Sequence, residues 1–464
     1  MKQFLKKPIG LAVAATFALG GMSTFNIASA FTDATALGDL ALVPYYTVRD
    51  NYVTGVHIIN TSGSTQVVKL RLRRGTDSAD ALDFNLILSP FDEWVGTIND
   101  SGGQLGISTP DTSCTAPAAN GTDPSGKPKF VAPATFLAGA DEGYLEVIGM
   151  AQTIDETQSI AVNAKHASGI PLNCDLVRQN FLATNVITTA QTRTTAGATS
   201  NYSDSSNVLK VSYFIRDAVS GMEMGDNATH IKDFADFPMM TNQQFGLNSG
   251  NLTGFDFPDL DGGVAGQRGL YLGVIRPDLG ASAILNDWSF NTANGVSTDW
   301  VITIPGQYLM DDPSDNGSVI VNGLLDIVNH RDLPVTAAFT VYDREEGVQT
   351  PGGLVISPSP AAATTSFTEE VNVVEWGGQS VFNTANATTV NPSFASPLGW
   401  ASLAISSNTA NRRVYDQTDT TGATFADVPV DSNVPIIGFT AWQRTFEDAS
   451  KNYGRIINHS RTNQ

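Results

Sequence analysis

Between Leu40 and Ile98 short runs of β-branched and aromatic residues alternate with clusters of turn formers, the pattern of a strand meander. From Gln66 to Arg73, Val68, Leu70 and Leu72 fall on one side and Lys69, Arg71 and Arg73 on the other, the period of two of a half-buried strand. Tyr52 to Asn60 is its expected partner, across the turn Thr61-Ser62-Gly63-Ser64. Leu82 to Leu88 repeats the alternation, with Leu82, Phe84, Leu86 and Leu88 inward and Asp83 and Asn85 outward. Ser89-Pro90 ends it and Trp94 to Ile98 resumes. Further strands are predicted over Tyr144 to Met150, Val208 to Ile215, Leu270 to Ile275, Trp300 to Ile304, Thr336 to Tyr342, Val371 to Trp376, Trp400 to Ile405 and Pro435 to Trp442. Asn227 to Phe237 reads as one short helix, and 350 to 368, with Pro351, Gly352, Gly353, Pro358 and Pro360, as a loop or linker. Amphipathic helical stretches are missing between the strands. The pattern therefore predicts an all-β fold of antiparallel sandwiches rather than an α/β sheet.

Composition supports that prediction. The acids are 35 Asp against 11 Glu, and Asp favours turns where Glu favours helix interiors. All-β domains run to about 200 to 250 residues, so 464 residues suit two sandwich-like domains, read here as 31–215 and 216–464.

Residues 1 to 30 have the form of a secretory leader: Lys2, Lys6 and Lys7, an apolar run from Ile9 to Leu19, then Ala28-Ser29-Ala30 beside a cleavable bond. The run is shorter than the ~20 residues of a membrane helix, and no later stretch is an apolar span, so the mature chain, beginning at Phe31, is expected to be exported without an integral membrane segment. Its first Cys is Cys114, which excludes a lipid anchor at the cleavage site. The compartment is periplasm, cell surface or medium. An outer-membrane barrel fits poorly, because the turns lack a ~10-residue rhythm and the terminal residues His459 to Gln464 lack a closing aromatic strand.

Cys114 and Cys174 are the only thiols and in an exported chain read as a disulfide, closing 60 residues. Pro117, Gly121, Pro124, Gly126 and Pro128 make 99 to 140 look like a long loop that this staple would hold. Losing the leader takes three Lys and no acid, leaving 23 bases against 46 acids and a charge of -23. That excess of acid sets nucleic acid aside as a partner, since phosphate binding is driven by clustered Lys and Arg.

Several stations resemble those of uncharacterised secreted proteins of Gram-negative bacteria: Leu42-Val43-Pro44-Tyr45-Tyr46, Leu82-Asp83-Phe84-Asn85 with Leu88 to Trp94, Thr298-Asp299-Trp300-Val301, Tyr342 to Glu346 and Asn452-Tyr453-Gly454. The resemblance implies export and a shared fold, and no activity.

Candidate chemistry is sparse. The chain has no Gly-x-Ser-x-Gly, His-Glu-x-x-His, P-loop or Gly-x-Gly-x-x-Gly, and its five His are scattered. Calcium is the most credible ion, through Asp256, Asp259 and Asp261 or Asp311, Asp312 and Asp315, neither set fitting an EF-hand. Asp residues capping their own turns are the plainer reading. Lys69, Arg71, Arg73 and Arg74 form either a polyanion strip or cross-strand pairs with acids such as Asp83. Trp94, Trp288, Trp300, Trp376, Trp400 and Trp442, with Tyr45 and Tyr46, are either core or flat platforms for sugar rings. The expected function is a non-catalytic structural, adhesive or matrix role, possible partners being a polysaccharide or the cell surface. The competing expectation is a carbohydrate-binding or glycoside-hydrolysing protein whose two carboxylates are hidden among the 46 acids.

Overall fold

The computed structural model describes residues 31–32, 36–181, 201–240, 258–260, 262, 270–306, 310–311, 320–321, 324–325, 335–349, 364–367, 369–385, 387–405, 413–416, 424–427 and 433–462. The leader expected over 1–30 lies outside them. The fold is all-β and its main sheets are antiparallel. Val371–Trp376 with Ala387–Val390 is a parallel pair.

Four sheets carry the body. Sheet I has the strand order Phe31–Thr32, Thr229–Lys232, Leu40–Thr47, Glu142–Thr153, Gln66–Arg74, Asp80–Leu88, Cys114–Ala116. Sheet II has Glu223–Asn227, Leu209–Asp217, Tyr52–Asn60, Glu93–Ser101, Gln104–Ser108, Pro128–Val131, Gly121–Thr122. Between them lies a core that includes Val43, Val68, Leu70, Leu72, Phe84 and Leu86 from sheet I and Val56, Ile58, Trp94, Ile107 and Val211 from sheet II. Sheet III runs Val348–Gln349, Val335–Asp343, Leu398–Ile405, Ala283–Ser289, Ser460–Thr462, and sheet IV runs Ala387–Val390, Val371–Trp376, Val296–Thr303, Ile437–Arg444, Tyr453–Asn458. Their core holds Trp288, Phe339 and Leu403 against Trp300, Ile302, Val374 and Trp376.

Several local expectations are corrected. Asn227 to Phe237 is not helical. Thr229–Lys232 pairs with Leu40–Thr47 in sheet I, so the first pair of sheets draws on residues beyond 216. Leu270 to Ile275 is not a strand, because Tyr271–Ile275 is a helical turn continued by Arg276–Leu279. An unbroken apolar run has no period with which to distinguish the two. Four strands, Gln104–Ser108, Cys114–Ala116, Gly121–Thr122 and Pro128–Val131, interrupt the loop expected over 99 to 140. Of the linker expected over 350 to 368, Thr364–Phe367 pairs with Val335–Asp343, and 350–363 and 368 lie outside the described residues.

Pro44 sits in a central strand, where its missing N–H should break a ladder. The register with Glu142–Thr153 shifts there, Tyr46 facing Gly143 and Val43 facing Leu145, so a bulge absorbs the proline. The freed carbonyl of Pro44 accepts the Thr303 hydroxyl of sheet IV at 2.5 Å.

That bond belongs to the junction between the two sandwiches. Val301, Val373, Phe439 and Ala441 of sheet IV join the first core, while Leu40, Leu42, Ile148 and Ile231 of sheet I join the second. The turn at 380–384 is the second sandwich's clasp on the first. Phe382 packs 5.0 Å from Tyr45 and 5.7 Å from Tyr52, the Tyr52 hydroxyl donates to Val381 O at 2.9 Å, Arg49 Nε donates to Asn383 O at 3.1 Å, and the Thr384 hydroxyl reaches Glu142 at 2.7 Å. Buried Asp299 holds the clasp from beneath, its Oδ2 accepting from Val381 N at 2.8 Å, Phe382 N at 3.0 Å and Ser380 Oγ at 3.2 Å. Burial pushes its carboxyl up to about 7 against the pull of those donors.

Candidate binding site

Lys69, Arg71 and Arg73 do share one side of a strand, but that side is buried. Three carboxylates meet the three cations. Lys69 Nζ lies 2.6 Å from Asp83 Oδ1; Arg71 Nε lies 3.2 Å and Arg73 NH1 2.9 Å from Asp80 Oδ1; Arg73 Nε lies 3.1 Å from Glu146 Oε1. Tyr144 donates to Glu146 at 3.2 Å, and Arg73 also donates to Ser78 O at 2.8 Å. Burial pushes the Asp80 carboxyl up, opposed by Arg71 and Arg73. A side chain without solvent access cannot meet a polyanion, so these three build a neutral internal network. Arg74, at the strand end, is paired with Asp77.

Cys114 and Cys174 form a disulfide. Cys114 lies in the edge strand of sheet I and Cys174 opens the short helix Cys174–Arg178, so the staple holds that helix over the outer face of the sheet rather than the loop expected from sequence. Asn173 caps the helix through Leu176 N at 3.1 Å. Val177 and Phe181 behind it pack with Val67, Ile87 and Met150, closing one end of the charged face.

Nearby, Thr112 Oγ1 lies 3.5 Å from His166 Nε2, and His166 Nδ1 lies 3.5 Å from Asp92 Oδ2. Both exceed the ~2.6 to 3.2 Å of a working nucleophile and base, and the Thr112 hydroxyl donates to Gly169 O at 3.2 Å. The trio ties loops together.

Of the calcium candidates, Asp256, Asp261, Asp312 and Asp315 lie outside the described residues. Asp259 closes a turn, its Oδ1 accepting Gly262 N at 3.1 Å, and Asp311 is a strand residue opposite Arg413. Among the described residues no group of three or more His, Cys, Asp or Glu is gathered to hold a metal.

The tryptophans divide. Trp94, Trp288, Trp300 and Trp376, with Tyr45 and Tyr46, are core. Trp400 is 42% exposed and lies parallel to Tyr342, centroids 4.0 Å apart at 8°. Strand register creates the stack: Tyr342 and Trp400 are direct cross-strand partners on the outer face of sheet III. Beneath it the buried Trp288 indole donates to both backbones, to Tyr342 O at 3.2 Å and Trp400 O at 3.1 Å.

On its other side Trp400 faces Asp287, whose Oδ2 takes Arg455 NH2 at 3.0 Å. The Arg455 guanidinium lies over the Trp442 ring at 5.3 Å, Trp442 is 5.6 Å from Tyr453, Tyr453 is 6.1 Å from Phe446, and Arg444 covers Phe446 at 4.9 Å. Tyr453 and Phe446 are exposed, 47% and 38%. Trp442 is fixed by its indole donating to Ser289 Oγ at 2.9 Å, and Phe446 by its N–H donating to Asn452 Oδ1 at 2.9 Å. The result is a continuous surface strip in which flat rings alternate with guanidinium and carboxylate groups. Asp287 Oδ1 and Arg444 Nε within it have no hydrogen-bond partner among the described residues.

Of the strip's residues, the sequence singled out Trp400 and Trp442 as ring platforms. Tyr342 and Tyr453 stood in resemblance stations, and Asp287, Phe446, Arg444 and Arg455 were not singled out, because only strand pairing and the return of the C-terminal strands bring them together. No protein-family model, curated protein or solved structure matches this chain.

Proposed function

We propose that the chain is an exported, non-catalytic β protein with an adhesive role, and that it adheres to polysaccharide or cell-surface glycan through the aromatic strip of the second sandwich. The single observation that carries the reading is the half-exposed Trp400–Tyr342 stack, continued by Arg455, Trp442, Tyr453 and Phe446. Flat apolar rings suit the C–H faces of sugar rings, and guanidinium and carboxylate groups beside them suit hydroxyls, each of which both donates and accepts. The leader-like first thirty residues and the disulfide support export.

The test is affinity electrophoresis of the mature chain through gels containing dextran, xyloglucan or alginate, together with sedimentation on cell envelopes. Retardation in at least one gel is expected, with Trp400→Ala and Tyr453→Ala each weakening it about tenfold, ~1.4 kcal/mol. Free migration of the parent in every gel with no envelope binding, or equal retardation of parent and both variants, overturns the reading. Export is tested separately by fractionating the native host with an antibody, where cytoplasmic material alone is the adverse result.

A further inference from the structure

Where the two sandwiches meet beside the C-terminal strands, a cavity of about 280 Å³ opens between Glu223–Asn227 and Thr229–Lys232 of the first and Ala283–Ser289, Ile437–Arg444 and residues 458–461 of the second. Its two kinds of surface are separate. Ile284, Ile436 and Ile437 are buried and apolar. Asp226, Asn227, Thr229, Asn458 and Arg461 are half-buried or exposed and polar.

The polar groups are positioned but not exhausted. Asp226 Oδ2 accepts from Asn458 Nδ2 at 3.0 Å across the junction, and Asp226 Oδ1 accepts from Asn227 N at 2.7 Å. The Asn227 carboxamide, the Thr229 hydroxyl and Asn458 Oδ1 have no hydrogen-bond partner among the described residues. The two histidines of the lining differ in this respect. Val211 N donates to His230 Nε2 at 2.9 Å, so the proton sits on Nδ1 and goes to Ala228 O at 2.8 Å. His459 Nε2 donates to Val301 O at 2.9 Å and its Nδ1 accepts from Asn286 Nδ2 at 3.0 Å. Gly438, at φ 143°, has no room for a side chain, because a Cβ there would stand 2.0 Å from Val301 O and 3.3 Å from the His459 ring. All four ring nitrogens are occupied, so the walls offer shape and no proton transfer.

We propose that this cavity is a second binding site, which holds one neutral pyranose ring of a glycan. The assignment of ligand class rests on the proposed glycan adhesion. Open amide and hydroxyl groups that both donate and accept match sugar hydroxyls, and the isoleucine side matches a C–H face. The lining carries one carboxylate, Asp226, and one guanidinium, Arg461, so its charges balance and do not select an ion. Pockets for drug-sized ligands span roughly 300 to 1,000 Å³, and this one, just below that range, has space for a single ring. A ring seated there would bridge the two sandwiches, since Asp226, Asn227 and Thr229 belong to one and Asn458 to the other.

The experiment uses the mature chain and four probes, the methyl α-pyranosides of glucose, galactose and mannose, and N-acetylglucosamine. Binding is followed by saturation-transfer NMR and by the Tm. At least one probe is expected to raise the Tm of the parent and of Trp400→Ala alike, whereas Asn227→Ala and Asn458→Ala weaken that probe's Kd tenfold or more. Asn227 is exposed and its side chain makes no hydrogen bond among the described residues, so its variant keeps the test valid if Asn458→Ala folds poorly. No response to any of the four probes, or an undiminished response in Asn227→Ala, overturns the cavity assignment. The loss of gel retardation in Trp400→Ala and Tyr453→Ala reports on the strip, and the loss of the monosaccharide response in Asn227→Ala reports on the cavity, so either site can fail without the other.

Discussion

The outer faces of sheets I and III present the two fates of an alternating strand. On sheet I the polar side, Lys69, Arg71, Arg73, Asp83 and Glu146, is covered and its charges are internally matched. On sheet III the corresponding side, Thr340, Tyr342, Trp400 and Ser402, stays half-buried or open to water. Alternation assigns side chains to faces. It does not say which face is later covered by other parts of the chain. One result is that the residues most suggestive of an interaction surface in sequence are internal, while the accessible ones are aromatic.

The sharpest way to break this contrast is to remove a charge on the covered face. Glu146→Ala leaves the Arg73 and Arg71 guanidiniums facing one fewer anion in a site without solvent, and a loss of about 3 to 5 kcal/mol is expected from urea unfolding. A loss below ~1 kcal/mol would mean that water reaches the network. Next is the staple over that face. Cys114→Ser with Cys174→Ser should cost about 2 to 4 kcal/mol, read from the same unfolding curves, because the 60-residue loop regains its freedom in the unfolded chain.

Asp299 supplies a smaller, pH-dependent comparison. Unfolded, its carboxyl releases a proton near 3.8; folded, burial holds it to about 7. Between those values the folded chain binds more protons, so this group's contribution is complete below the lower value and is lost as pH rises through the upper one. Asp39, buried beneath Phe234 N and Ala235 N and also raised to about 7 by burial, acts in the same sense. Asp299→Asn cannot ionise. Its stability relative to the parent should therefore improve between pH 5 and pH 8, and a constant difference across that range would refute the assignment. The smallest stability effect is expected on the open face, where Trp400→Ala should stay within about 0.5 kcal/mol of the parent while weakening glycan binding tenfold. Destabilisation of several kcal/mol would show the ring to be core.

Much of the fold was legible because strands with one wet and one dry side carry a period of two. Tyr52–Asn60 and Val371–Trp376 match the expected strands end for end, and Gln66–Arg74 differs by one residue. The expected hairpin does not form, however: Tyr52–Asn60 pairs in sheet II with Leu209–Asp217 and Glu93–Ser101, and the turn at 61–64 crosses to sheet I. Failures came where that signal is absent. The run from Leu270 to Ile275 is apolar throughout, and Thr229–Lys232 is short and lies beside turns. The aromatic strip was half legible: tryptophans announce themselves, but their company is set by register. Arg455 meets Asp287 across 168 residues of sequence, and nothing local encodes that encounter.

The clasp at 380–384 has a mechanical consequence for the two sandwiches it joins. Separating the second sandwich from the first at this seam breaks the bonds by which Arg49, Tyr52 and Glu142 hold that turn. Asp299 underneath makes the grip respond to the acidity of the surroundings.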